Sequence, residues 1–104
     1  MSKRNRTLRR AEDRAQQKLA GDLEKLALLA PGGSPDRALT ITSPSEVEVL
    51  ARARRCPICQ GELRLDEHAA ETVAGVRLRI ARMVCAVCRR KRAIYFQLAS
   101  GMVN

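Results

Sequence analysis

Four cysteines are the residues of this chain best placed to do chemistry, and they come as two pairs, Cys56-Pro57-Ile58-Cys59 and Cys85-Ala86-Val87-Cys88. Two residues between cysteines let a tight turn aim both sulfurs at one point. Two such turns supply the tetrahedron of thiolates that Zn2+ prefers, with Zn–S distances of about 2.3 Å. The 25 residues between the pairs leave room for a hairpin. Gly61 can let backbone N–H groups turn toward the first pair, and Arg89 and Arg90 bring positive charge to the second. The pattern predicts one structural Zn2+ held by Cys56, Cys59, Cys85 and Cys88. An iron site with the same ligands and a thiol redox pair are the alternatives. A redox motif needs only one Cys-x-x-Cys, usually at a helix N-terminus, whereas the residues after Gly61 alternate as a strand does.

Four thiolates close a coordination shell, while a catalytic zinc keeps a position for water. His68 is the only histidine, and its nine-residue offset from Cys59 suits neither cysteine turn. It reads as a polar residue of a hairpin region. The acids around it, Asp66, Glu67 and Glu71, read as a solvated turn rather than a second metal site or a general base. No nucleophile has a base beside it in any recognisable spacing, so the expectation is a protein that is not an enzyme.

Charge points to partners. The chain has 104 residues with 20 Lys and Arg against 11 Asp and Glu, a formal net charge of +9. A zinc tetrathiolate would lower that by about two charges. Such an excess attracts polyanions. Lys3, Arg4, Arg6, Arg9 and Arg10 form an N-terminal basic arm. Arg77, Arg79, Arg82, Arg89, Arg90, Lys91 and Arg92 form a second cluster, with no acid between residues 72 and 104. The guanidinium fork suits phosphate because it donates two parallel hydrogen bonds. Tyr95, on the polar side of a strand, is the candidate to stack on an unpaired base. These residues are expected to form one ridge that binds nucleic acid or a nucleoprotein. The plainer reading is a solvated polar face with Tyr95 packed on arginine stems, and an acidic protein is the remaining partner class.

The elements that must position these residues follow from periodicity. Residues 1–30 read as the basic arm and an amphipathic helix, with Leu19, Leu23, Leu26 and Ala30 on one face. That leucine face is the candidate interaction helix, for a partner protein or a weak homodimer. Residues 31–42 read as a linker, opened by Pro-Gly-Gly-Ser-Pro-Asp, although Ala38–Thr42 alternates as a short strand would. Ser43, Pro44 and Glu46 read as a capping box with proline at the first helical position. The second helix would carry Val47, Leu50, Ala51 and the Arg54 stem on one face and end near Arg55. Three strands follow: around Leu63 and Leu65, around Val76, Leu78 and Ile80, and around Ile94, Phe96 and Leu98, each apolar on one side. Gly75 falls in or near a turn after His68–Thr72, and Ala99–Asn104 is a tail. Apolar residues are 45% of the chain but aromatics only 2%, so the core is small and the metal is expected to staple it. The expected fold is small α+β: an N-terminal helix, a linker, a short helix, then a three-stranded antiparallel zinc ribbon with its core at 55–98 inside a 43–104 unit.

In Cys56-Pro57-x-Cys59-x-Gly61, Cys85-x-x-Cys88 and the strands around them, the chain resembles the zinc ribbon superfamily. From Arg55 to Leu98 it is also similar to small bacterial zinc-ribbon proteins with an Arg-rich second turn followed by Ile94-Tyr95-Phe96. It departs from the commonest ribbon pattern, in which glycine directly follows the second cysteine of each pair; Gln60 and Arg89 stand there. The resemblance implies the fold and a structural zinc. Ribbons serve transcription, ribosomes, nucleic-acid enzymes and protein docking, so it implies no single function. Met1–Gln17 lacks the apolar stretch of a secretory signal, and no run approaches the roughly 18 apolar residues of a membrane span. A cytoplasmic location without membrane contact is expected, where paired cysteines are more often metal ligands than disulfides.

Overall fold

A computed structural model describes residues 3–99, with side chains from residue 6 onward. The order is α1 (Lys3–Leu29), a 3₁₀ turn (Pro35–Arg37), β1 (Leu39–Ile41), α2 (Glu46–Arg52), β2 (Leu63–Val73), β3 (Val76–Cys85) and β4 (Lys91–Leu98). Lys3 and Arg4 have side chains outside the described residues, as does the tail beyond Ala99.

The sheet has four strands in the order β1-β4-β3-β2, not three. β2, β3 and β4 are antiparallel as expected, but β1 adds to β4 in parallel, with Leu39 opposite Phe96 and Ile41 opposite Leu98. The fourth strand comes from residues 31–42, expected as a linker, and lies within Ala38–Thr42, the stretch that alternates as a short strand would. Gly32 begins the attachment: its carbonyl accepts the Tyr95 N–H at 2.8 Å.

β2 and β3 form one long hairpin. Ala74 and Gly75, with φ of 50° and 80°, make its two-residue turn, the conformation whose twist matches the flanking strands. Gly75 thus falls in the turn expected after His68–Thr72, whereas Asp66, Glu67 and Glu71, expected in a solvated turn around His68, are strand residues. A bulge between Leu65 and Glu67 interrupts the alternation there, which hides the strand in the sequence.

Residues directly opposite each other in antiparallel strands share a face. Leu63, Ala81, Met83, Cys85, Ile94 and Phe96 therefore lie on one side of the sheet. All are buried, and with Val47 and Ala51 of α2 they form the main core. Leu78 and Ile80 are buried on the opposite side, so β3 carries apolar residues on both.

α2 starts at Glu46 rather than just after Ser43, and ends at Arg52. Half of the expected capping box forms. The Glu46 carboxylate accepts the N–H groups of Ser43 and Thr42 at 2.8 and 2.6 Å and the Thr42 hydroxyl at 2.8 Å. Ser43 Oγ turns to Ser45 instead. Val47 and Ala51 are buried, whereas Leu50, expected on the same face, is exposed.

α1 runs unbroken through Gly21. Pro31 stops it by disfavouring helical backbone at Ala30 and lacking an N–H. A 27-residue helix is about 40 Å long, and it gives the molecule its 65 × 24 × 16 Å extents. Only its C-terminal third approaches the sheet: Ala20, Leu23, Glu24, Ala27 and Ala30 are half-buried, and residues 6–19 are exposed. Leu19 and Leu26 are 59% and 62% exposed. The expected Leu19/Leu23/Leu26 face is thus divided, with Leu23 turned toward the body and the other two outward. No helix among the described residues is long and apolar enough to cross a membrane.

Candidate metal centre

The two cysteine turns have the same backbone. Cys56 N–H donates to Gly61 O and Cys85 N–H to Arg90 O, both at 3.0 Å. Gln60 N–H donates back to Cys56 O at 2.8 Å, and Arg89 N–H to Cys85 O at 3.1 Å. The first turn stands between α2 and β2, pinned by a bridge between Arg55 and Glu62. The second joins β3 to β4. Ala86 N–H donates to Glu62 O at 2.9 Å, which ties one turn to the other.

This brings the four sulfurs within 4.8 Å of one another. Cys56 and Cys88 are 3.7 Å apart, and Cys59 and Cys85 are 3.4 Å apart. Ligands at about 2.3 Å from the centre of a regular tetrahedron sit about 3.8 Å apart, so one metal ion fits. Disulfide sulfurs would be at about 2.05 Å, and all four cysteines are free. Cys56 and Cys85 are buried, Cys88 is half-buried and Cys59 is exposed.

The backbone and one arginine favour thiolates here. The Val87 and Cys88 N–H groups both point at Cys85 Sγ, at 3.4 Å. The Cys88 N–H, with that of Val87, lowers the Cys85 thiol below its ordinary value against the cost of desolvation. Cys88 is pulled down to about 6, first by the Arg90 backbone N–H and also by the Arg90 side chain. Cys59 is pushed up to about 11, chiefly because its hydrogen bond to Cys85 favours the protonated form. A cation at the centre would favour the thiolate in all four. Gly61 has a steric role: a Cβ there would lie 2.9 Å from Cys85 Sγ and 2.8 Å from Val87 Cγ2.

The basic cluster is not one ridge. The register puts Arg77, Arg79 and Arg92 on the main-core side of the sheet and Arg82, Lys91 and Tyr95 on the other. Two of these arginines are engaged in holding the fold. Arg82 pairs with Glu71 at 2.7 Å and with Glu67 at 3.7 Å. Arg92, with a side chain only 12% exposed, pairs with Glu24 of α1 at 2.8 Å. Arg90 serves the Cys88 sulfur. Arg77, Arg89 and Lys91 remain exposed. The acids read as a solvated turn are strand residues, and two of them neutralise Arg82. His68 faces the main-core side opposite Ala81, and its buried Nε2 has no hydrogen-bond partner.

No protein-family model, curated protein or solved structure matches this chain.

Proposed function

We propose that this chain is a small, non-catalytic zinc-ribbon protein that binds nucleic acid or a nucleoprotein through exposed arginines. The tetrathiolate supports zinc, because soft ligands in a closed tetrahedron suit its filled d shell. Iron is the competing metal for the same set. Gln60 and Arg89 stand where ribbons commonly carry glycine, and both have φ near the value glycine favours, 63° and 66°, which supports the ribbon reading.

The observation that carries the partner class is the outer part of α1. Arg6, Arg9, Arg10 and Arg14 are all exposed, and none lies within ion-pair distance of a carboxylate among the described residues. Such a basic helix standing clear of the body offers several phosphate contacts at once. Fluorescence anisotropy of the zinc-loaded protein with single- and double-stranded RNA and DNA, over a range of salt, tests this. Affinity should fall steeply with salt, since each neutralised phosphate releases counterions. Absence of binding near physiological salt would reject the reading.

A second reading rests on the exposed leucines of the same helix. Leu8, Leu19, Leu26 and Leu29 all face solvent, which suits docking on another protein or weak self-association. Sedimentation over a concentration series separates these: a monomer throughout excludes the dimer and leaves a partner protein.

A further inference from the structure

Between the C-terminal end of α1, the first cysteine turn and β4 lies a small cavity of about 120 Å3 that opens to solvent. Leu63 and Ile94 form its floor, Ala27 and Ala30 its roof, and Arg54 and Arg55 stand at its side. Three features keep it open. The roof residues are alanines, so the helix covers the floor without filling the space. Gly32 and Gly33 turn the chain tightly beneath the helix end, and a Cβ on Gly33 would run into the Ala27 carbonyl oxygen. The Arg92–Glu24 ion pair holds the helix over β4.

The arginines differ in their freedom. Arg92, also on the cavity wall, has its charge answered by Glu24. Arg54 and Arg55 have no carboxylate within ion-pair distance among the described residues. The result is an apolar slot with two unanswered positive charges at one edge. A nucleotide has the matching form, a flat base joined to an anionic phosphate, and bases also stack on guanidinium planes. A carboxylate side chain of an acidic peptide would satisfy the arginines but leave the apolar slot unfilled.

We propose that this cavity is a subsite for one unpaired nucleotide, with the base between Leu63/Ile94 and Ala27/Ala30 and the phosphate on Arg54 and Arg55. The proposal rests on the nucleic-acid reading above and specifies a single-stranded target.

The test uses the zinc-loaded full chain and three probes: a 5′-phosphorylated uridine trinucleotide, a short RNA duplex and a glutamate oligopeptide. Methyl NMR should show the trinucleotide shifting Ala27, Ala30, Leu63 and Ile94, with the duplex leaving them in place. Arg54→Ala combined with Arg55→Ala should weaken trinucleotide binding about ten-fold or more, as expected for lost charge-assisted hydrogen bonds. Ala30→Leu, which keeps both arginines but fills the slot, should do the same while retaining metal. If it fails to fold, the methyl shifts and the arginine variant decide. Duplex binding without any trinucleotide shift at these methyls would overturn the subsite and leave the nucleic-acid reading standing. No binding of either nucleic acid would overturn both. Equal shifts from the glutamate peptide would assign the slot to an acidic protein and overturn the nucleotide.

Discussion

Gln60 and Arg89 occupy the same position in two turns: each directly follows the second cysteine of its pair, and each has a left-handed backbone, with φ of 63° and 66°. Left-handed backbone is costly for any residue with a Cβ and free for glycine. The left-handed residue turns the chain back, so that the carbonyl of the next residue, Gly61 or Arg90, accepts the N–H of the first cysteine of the pair.

Gln60→Gly and Arg89→Gly should therefore each stabilise the metal-loaded protein by about 0.5–1 kcal/mol, the strain relieved less the added chain entropy. Gly61→Ala should act in the opposite direction and weaken metal binding, since its methyl would press on Cys85 Sγ. Thermal melts with metal titrations check all three. A loss of stability in both glycine variants would mean that the Gln60 and Arg89 side chains contribute more than their backbones cost.

Metal removal should unfold the sheet. Structural zinc in small domains binds with an apparent free energy on the order of 10–16 kcal/mol, as large as or larger than the net stability of a typical domain, about 5–15 kcal/mol. The cysteine turns also fix where β2 begins and how β3 returns as β4. A strong chelator, or Cys56→Ser, should abolish cooperative melting and strand circular dichroism, and elemental analysis of the parent should return one zinc per chain. Cooperative melting that survives full chelation would show that the core around Phe96 and Met83 holds the sheet alone.

The four-cysteine cluster was legible in the sequence because its signal is local: two residues between cysteines specify a turn, and alternating residues between the pairs specify the hairpin. Long-range pairings left no such mark. β1 is three residues long, and although Ala38–Thr42 alternates as a short strand would, nothing local marks its parallel pairing with Phe96–Leu98. The bulge at Asp66 shifts the alternation of β2, so half of that strand resembles a turn in the sequence. The basic cluster looks continuous there because its acids are distant: Glu24 is 68 positions from Arg92. Helical spacing puts Leu19, Leu23 and Leu26 on one stripe, but only the position of the sheet determines which edge of that stripe is covered.

Glu46 gives the fold a pH dependence separate from the metal. Its carboxyl is held below the ordinary glutamate range, first by the Thr42 side chain and then by the Ser43 and Thr42 N–H groups. A group whose pKa is lower when folded contributes stability above its unfolded pKa and loses it as pH falls through the folded value. Glu46→Gln removes that contribution and does not titrate. The stability gap between parent and variant should be full near neutrality and narrow as pH drops through the carboxylate range. Urea melts at several pH values, compared only where both proteins retain metal, measure the gap. A gap that stays constant with pH would mean that the substituted amide and the ionised carboxylate differ by packing alone.

Arg92 and Glu24 form an ion pair between β4 and α1. The Arg92 guanidinium is nearly covered, so removing Glu24 leaves a charge with little water to replace its partner. Glu24→Ala should cost about 1–3 kcal/mol, in the range for an unsatisfied buried polar group. Arg92→Ala should free the C-terminal third of α1 and speed hydrogen exchange at Leu23–Leu29. Exchange over residues 6–14 should not change, because that part of the helix is exposed and stands clear of the sheet. A double-mutant cycle should give a coupling of about 1 kcal/mol. Zero coupling would mean that α1 is held from the loop side alone, by the Gly32 carbonyl on the Tyr95 N–H, and that the ion pair is incidental to its position.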